Sequence, residues 1–301
     1  EEKEYVRNTF LKEYAPGCYE LLPEVNTQRK AEKRFAPDED TGAEERNRLE
    51  RIRDGFYALI SEVIFLEKPE GDDIIYFPRN SFHSTFSFRE LDYEEKQKLD
   101  ELYIDYFYRR NEDFWRKNAL TRLPAVKNAT NMLLCGEDLG MVPACVPGVM
   151  NELGILSLEV QRMPKDPKIE FGIPDQYPWL SVATPSSHDT STIRGWWEED
   201  RNKIRKFYNQ VLGKSGEAPV TCTPEMVREI VVQHLWSPSM WTVFPVQDLI
   251  GMDGQLRLPD PRAERINEPG NPNHYWRYRM HLSLENLIHQ DDFNEMIHNL
   301  I

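Results

Sequence analysis

At 301 residues, with 40% hydrophobic and 11% aromatic side chains, the chain is long enough to bury one large core or two ordinary ones. Its 51 Asp and Glu outnumber 37 Lys and Arg, a formal charge of -14, and a field of that sign disfavours nucleic acid and anionic membranes while leaving a neutral sugar open as a partner. No apolar run approaches the roughly 18 residues of a spanning helix, and Cys18, Cys135, Cys145 and Cys222 show no C-x-x-C spacing, so reduced, mostly buried thiols in a cytoplasmic protein are expected.

The chain opens on EEKEYVRNTFLKEYAPG, without Met or an apolar leader, and is expected to begin inside a longer protein. Leu49, Ile52, Phe56, Leu59, Ile60 and Ile64 recur at helical spacing with charges between them. The charged run 29–51 reads as a solvated loop and a helix start. Gly71-Asp72-Asp73 and Ile74–Pro78 read as a turn and a short extended segment. A second helix is expected from Tyr93 to Leu120, which makes 1–128 a mainly helical region.

From residue 129 short apolar runs alternate with helical patterns, the βα rhythm of a parallel sheet. The expected strands are Met132–Cys135, Ser157–Gln161, Leu180–Ala183 and Thr242–Pro245; the expected helices are Cys145–Leu153, Arg201–Leu212 and Pro224–Leu235. Roughly four βα units are too few for an eight-stranded barrel and equally suit a small open α/β sheet.

Function in a parallel α/β architecture sits at the C-terminal ends of the strands. There the sequence places Glu137 and Asp138, then Glu159, Gln161 and Arg162, then His188 and Asp189, then Gln247 and Asp248. Asp138 is expected to hold the amides of its own Leu139-Gly140 loop, and Asp248 to cap the element after the fourth strand. A hydrolase relay of Ser186 or Ser187 with His188 and Asp189 lacks a G-x-S-x-G elbow. The histidines form no H-x-x-x-H pattern, and no metal or organic cofactor is implied. What remains is carboxylate chemistry, in which a retaining enzyme sets a general acid and a nucleophile roughly 5–5.5 Å apart. Trp179, Trp196, Trp197, Trp241 and Trp276 are candidate sugar platforms; Trp196-Trp197 follow Asp189 most closely, and at least one is expected to pack inward.

The segments CGEDLGMVPACVPGVMNELGI (135–155), LEVQRMP (158–164), ATPSSHDTSTIRGWWEED (183–200) and SPSMWTVFPVQDL (237–249) resemble the 4-alpha-glucanotransferases known as amylomaltases or disproportionating enzymes, and most of all their type 2 form. FWRKNALTRLP (114–124) and NEPGNPNHYWRYRM (267–280) share the likeness. The resemblance implies that residues 129–301 are strands five to eight of a (β/α)8 barrel and that 1–128 are the type 2 insertion. It implies Glu137 as general acid/base, Asp189 as the transition-state-stabilising aspartate, and His188, Gln161 and Asn267 as substrate-binding residues, with Asp138 in support. The loop beginning at Asn267 resembles the family's acceptor-side loop, with Asn271 where Thr is common after its Pro-Gly.

The resemblance also implies a nucleophilic aspartate in an R-I-D-H-type motif before E-D-L-G, and none occurs in 1–134. Arg51-Ile52-Arg53-Asp54 comes nearest but lies in a charged helical stretch. The chain is therefore expected to be an incomplete catalytic domain, inactive alone and prone to self-association through open sheet edges. Maltose, maltooligosaccharides and larger alpha-glucans are its implied partners; a hydrolytic relative and a non-catalytic carbohydrate-binding or assembly scaffold are the competing readings.

Overall fold

A computed structural model describes residues 2–140 and 142–301; Met141, within the first quoted motif, lies outside the described residues. The chain divides into two compact units, 1–110 and 111–301.

In the first unit, α1 (Glu2–Phe10) runs into a hairpin of β1 (Leu11–Ala15) and β2 (Cys18–Leu21). Its Pro16-Gly17 turn works because Pro presets its own φ and Gly17 takes a φ of 76° at no steric cost. Much of the charged run is helical: α2 (Gln28–Arg34) starts on a Thr27 cap, and α3 (Ala43–Ser61) carries the expected apolar stripe as far as Ser61, with Ile64 beyond its end. The extended segment is half of a second hairpin, β3 (Phe65–Glu70) on β4 (Asp73–Pro78), turned at Gly71. The unit continues through α4 (Phe86–Glu90) and α5 (Tyr93–Ile104), which opens on an Asp92/Glu95 capping box, to a π-helical turn Asp105–Arg110. Phe10, Phe35 and Phe56 meet at centroid distances of 5.2–5.6 Å around Val25, Ala31 and Ile52.

The second unit opens with α6 (Asn111–Asn128), so the expected helix passes Leu120 and tolerates Pro124 within it. Tertiary bonds to α7 (Cys145–Leu153) offset the backbone bond that proline removes: Arg116 to Glu152 at 2.7 Å, and Lys127 to the Leu153 carbonyl. α7 stops where Gly154 turns left-handed, at a φ of 62°. Three strands follow, β5 (Ser157–Val160), β6 (Ser181–Thr184) and, later, β7 (Trp241–Thr242), parallel and in that order. The expected first strand is reduced to one bridge, Cys135 with Leu156, fastened by the Gly136 amide on the Leu156 carbonyl and the Leu156 amide on the Leu134 carbonyl. Four strand positions thus lie side by side, all pointing the same way.

Between β6 and β7 lie α8 (Ile193–Trp197), α9 (Arg201–Gln210) and α10 (Pro224–Leu235), the last with Thr223 as cap and Pro224 at its first turn. After β7 come α11 (Val246–Ile250), a 3-10 turn Pro261–Glu264, α12 (Leu284–Ile288) and α13 (Asp291–Leu300). Ile204 and Phe207 of α9, Val227, Ile230 and Val231 of α10, and Trp196 and Trp197 of α8 fill the core. Complete burial of a side chain such as Phe207 contributes about 1.5–3 kcal/mol. Both tryptophans of the 196–197 pair pack inward, Trp196 edge-on to Phe207 at 4.9 Å and Trp197 donating to the Pro219 carbonyl at 2.9 Å, so neither is a sugar platform. Trp179, Trp241 and Trp276 are exposed. Cys18 and Cys135 are also exposed, against the expectation of mostly buried thiols, because both lie where the chain has little packed over it.

Candidate active site

Because the strands are parallel, the residues just past their C-terminal ends share one edge of the sheet. Glu137 leaves that edge after the Cys135 bridge, Gln161 and Arg162 after β5, and the loop with His188 and Asp189 after β6. Glu137 and Asp189 thus emerge two strand positions apart, about 10 Å at ordinary strand spacing.

At the first position the loop-holding bond expected of Asp138 is made by its neighbour Glu137. Glu137 is exposed and holds its own loop, its Oε1 accepting from the Leu139 amide at 2.6 Å. Asp138 is buried and reaches sideways, accepting from the Leu158 amide of β5 at 3.0 Å and pairing with Lys165 at 2.7 Å. Lys165 bridges on to Glu159, also at 2.7 Å. A short aspartate facing the neighbouring strand meets that strand's free amide before it can curl back to its own loop. Asp138 therefore locks the Glu137 strand end onto β5.

At the third position Asp189 is half exposed and held from two sides. Asn267 donates through Nδ2 to its Oδ1 at 2.7 Å, and His188 lies 3.2 Å from its Oδ2. The His188 ring tilts against Trp276 with centroids 5.5 Å apart. Asp189, His188, Asn267 and Trp276 form one constellation, although 78 residues separate Asp189 from Asn267. Ser186 and Ser187 are spent elsewhere, on Asp248 and on the Asp189 amide, which leaves no serine relay. Gln161 is brought to the end of β5, but it is buried and its amide is bonded to Gln233 of α10 at 2.9 Å.

Behind this loop lies a buried charged layer. Arg162 donates to Thr190 Oγ1 at 2.6 Å and to the Ser191 carbonyl. Burial drives its guanidinium down to about 10, opposed by the charges of Asp248 and Glu199. Asp248 caps nothing of its own: its Oδ1 accepts from the Ile193 amide at 2.8 Å and its Oδ2 from Ser186. Burial raises its carboxyl, and the bonds from Ser186 and Ile193 and the charge of Arg162 oppose that rise. Glu264 pairs with Arg194 and accepts from Thr192 at 2.9 Å; burial raises its carboxyl too. The segment 186–194 is thus gripped by three charged side chains from three elements. Thr190 and Arg194 lie in the family-like segment 183–200 but were given no role there, and Glu264 lies in none of the quoted segments. The one available signal was a charge inside the apolar run Ile193–Trp197, which must find a buried partner.

A sequence model of the 4-alpha-glucanotransferase family matches residues 71–284. The 4-alpha-glucanotransferase DPE2 of Oryza sativa subsp. japonica is 42% identical over 294 residues, 97% of this chain and 31% of that protein. A 4-alpha-glucanotransferase of Chlamydia muridarum is 31% identical over 182 residues, 57% of this chain and 33% of that one. Among solved structures, an amylomaltase from Streptococcus agalactiae in complex with acarbose aligns with a TM-score of 0.46 at 16% identity, covering 60% of this chain and 34% of that one. The chain spans about a third of the length of these curated relatives. With the family model matching residues 71–284 and a relative 42% identical over 97% of this sequence, the chain belongs to the 4-alpha-glucanotransferase family.

Proposed function

We propose that this chain is part of the catalytic barrel of a retaining 4-alpha-glucanotransferase that moves alpha-1,4-glucosyl units between maltose or maltooligosaccharides and glucan acceptors. The observation that carries the proposal is the shared sheet edge: Glu137 and Asp189 leave the same end of one parallel sheet. One strand, β5, stands between them, as strand six would between strands five and seven of a (β/α)8 barrel.

In the double displacement, Glu137 protonates the departing glycosidic oxygen and then takes the proton from the acceptor hydroxyl. One of its oxygens stays on the Leu139 amide, leaving the other for the proton. Asp189, oriented by Asn267, faces the ring on which positive charge develops, and His188 bonds sugar hydroxyls beside the exposed Trp276. The nucleophilic carboxylate comes from outside residues 1–134, where no R-I-D-H-type motif occurs.

Maltose disproportionation against glucose release, in an enzyme that contains this chain and is active, tests the assignment. Glu137→Gln and Asp189→Asn should each lower transfer by about 10²–10⁴-fold. Retained transfer in either variant, or glucose release without longer maltooligosaccharides, would sink it. The 301-residue chain by itself should not turn maltose over, and Glu137-dependent turnover by it would place the nucleophile within it.

A further inference from the structure

We propose that the hollow formed by residues 262–279 is a binding site for a phosphate group, and that its ligand is a phosphate-bearing sugar. The hollow measures about 660 Å³, and Arg262, Arg265, Arg277 and Arg279 all line it. Four guanidiniums in so short a segment are out of keeping with a chain of net charge -14.

The acids that would neutralise them locally are mostly engaged elsewhere. Glu264 is buried and paired with Arg194; Asp260 is taken by Arg262 at 3.1 Å. Arg265 uses its Nε on the Asn267 carbonyl and stands 3.8 Å from Glu199. Arg277 and Arg279 make no ion pair among the described residues, and Arg279 has only the Tyr278 carbonyl at 3.2 Å. Two charge-unsatisfied planar forks facing one polar hollow match a dianion that accepts bidentate bonds, which is the chemistry of phosphate more than of a single carboxylate.

The rest of the lining points to a sugar on that phosphate. Asn271, Asn273 and His274 offer hydrogen-bonding groups for hydroxyls, and Tyr275 and Tyr278 offer faces and phenols. The volume exceeds what the anion alone would fill. The hollow also adjoins the loop whose Asn267 holds Asp189. A phosphate anchored here would mark a glucan for binding beside the candidate active site. That last step rests on the proposed function, whereas phosphate binding itself does not.

The test is calorimetric titration of the chain with inorganic phosphate, glucose 6-phosphate and glucose, with no catalytic readout involved. Both phosphates should bind and glucose should not. Raising salt from about 20 mM to about 200 mM should weaken binding severalfold, since the site is open to solvent. The double variant Arg277→Gln, Arg279→Gln should lose about tenfold or more, and Arg205→Gln, on the far-from-site pair with Glu217, should lose nothing. Tighter binding of glucose 6-phosphate supports a sugar phosphate as the ligand, whereas equal binding overturns the sugar part of the proposal and leaves a site for the free anion. Absence of saturable binding by either phosphate, or unchanged binding in the double variant, overturns it. Because both arginines are exposed the variants should fold; Arg277→Lys, which keeps charge and loses the fork, gives an intermediate loss that tests the same geometry.

Discussion

Asp248 accepts from the Ile193 amide at 2.8 Å and from the Ser186 hydroxyl, so one carboxylate on α11 holds both ends of the loop that carries His188 and Asp189. The candidate site is therefore shaped from behind, by a group that no substrate touches. This differs from the Glu137 side, where Asp138 fastens a strand end, Glu137 holds the start of the loop and Glu112 of α6 accepts from the Ala144 and Cys145 amides at its end.

Removing that carboxylate should cost more than its bonds suggest. Asp248→Ala removes the charge that most opposes the desolvation of buried Arg162 and orphans the Ile193 amide, so a loss of about 3–5 kcal/mol is expected. Asp248→Asn removes the same countercharge but keeps the shape and one acceptor, so its loss should be smaller, about 1–3 kcal/mol. Urea unfolding of the chain measures both. Equal losses in the two variants would mean that the charge, which both remove, and not the shape that Asn keeps, is what Asp248 supplies.

Asn267 gives the corresponding prediction on the solvent side. Asn267→Asp sets a second carboxylate 2.7 Å from Asp189, and two such groups resist joint ionisation. At neutral pH transfer should fall about 10–100-fold. On acidification one carboxyl becomes an O–H donor to the other, as the amide was, so the variant's optimum should move to lower pH. Asn267→Ala should lose activity without that shift. Identical pH–rate profiles for the two variants would refute the orienting role.

How far the sequence revealed this molecule depended on range. The helices Cys145–Leu153 and Pro224–Leu235 were legible to the residue, because each has local punctuation: Gly154 after one, and Thr223-Pro224 before the other. The parallel sheet was legible as a rhythm. In the first unit the turn at Gly71 and the extended run that became β4 were legible, but β1, β2 and β3 were not, since they are exposed along most of their length and show no alternation of buried and exposed residues. Trp196-Trp197 looked like a platform because a sequence cannot say which side of a short helix faces the core. The grip of Asp248, Arg162 and Glu264 on one loop joins residues 55–72 positions apart, or 28 for Arg162 and Thr190, and no spacing announces such contacts.

Two glycines near the strand ends should behave differently. A Cβ on Gly172 would lie 2.9 Å from the Tyr177 hydroxyl and 3.4 Å from the Gln161 backbone. The backbone cannot yield, so Gly172→Ala should cost about 1–3 kcal/mol and disturb the end of β5. At Gly136 the Cβ would meet Met150 Cε, also at 2.9 Å, but that is the tip of a flexible side chain. Gly136→Ala should cost less than about 1.5 kcal/mol. Thermal unfolding ranks the pair; the reverse order would contradict this account.

His234 sets the acid limit of stability. It is fully buried in α10, one ring nitrogen on the Ile230 carbonyl at 2.8 Å, and burial depresses its pKa to about 4. Unfolded, it titrates near 6.5. Between these values the unfolded chain binds the proton and the folded chain does not, so stability rises with pH there. The contribution is complete above about 6.5 and is lost as pH falls toward 4, a change of the order of 3 kcal/mol. Asp248 and Glu264, whose carboxyls burial raises, act in the opposite sense, but they do so equally in the parent and in His234→Leu. The difference between the two urea-unfolding profiles therefore isolates the histidine. That difference should change steeply between about pH 6.5 and 4 and be flat above; a difference independent of pH would mean that His234 is already charged, or already hydrated, in the folded chain.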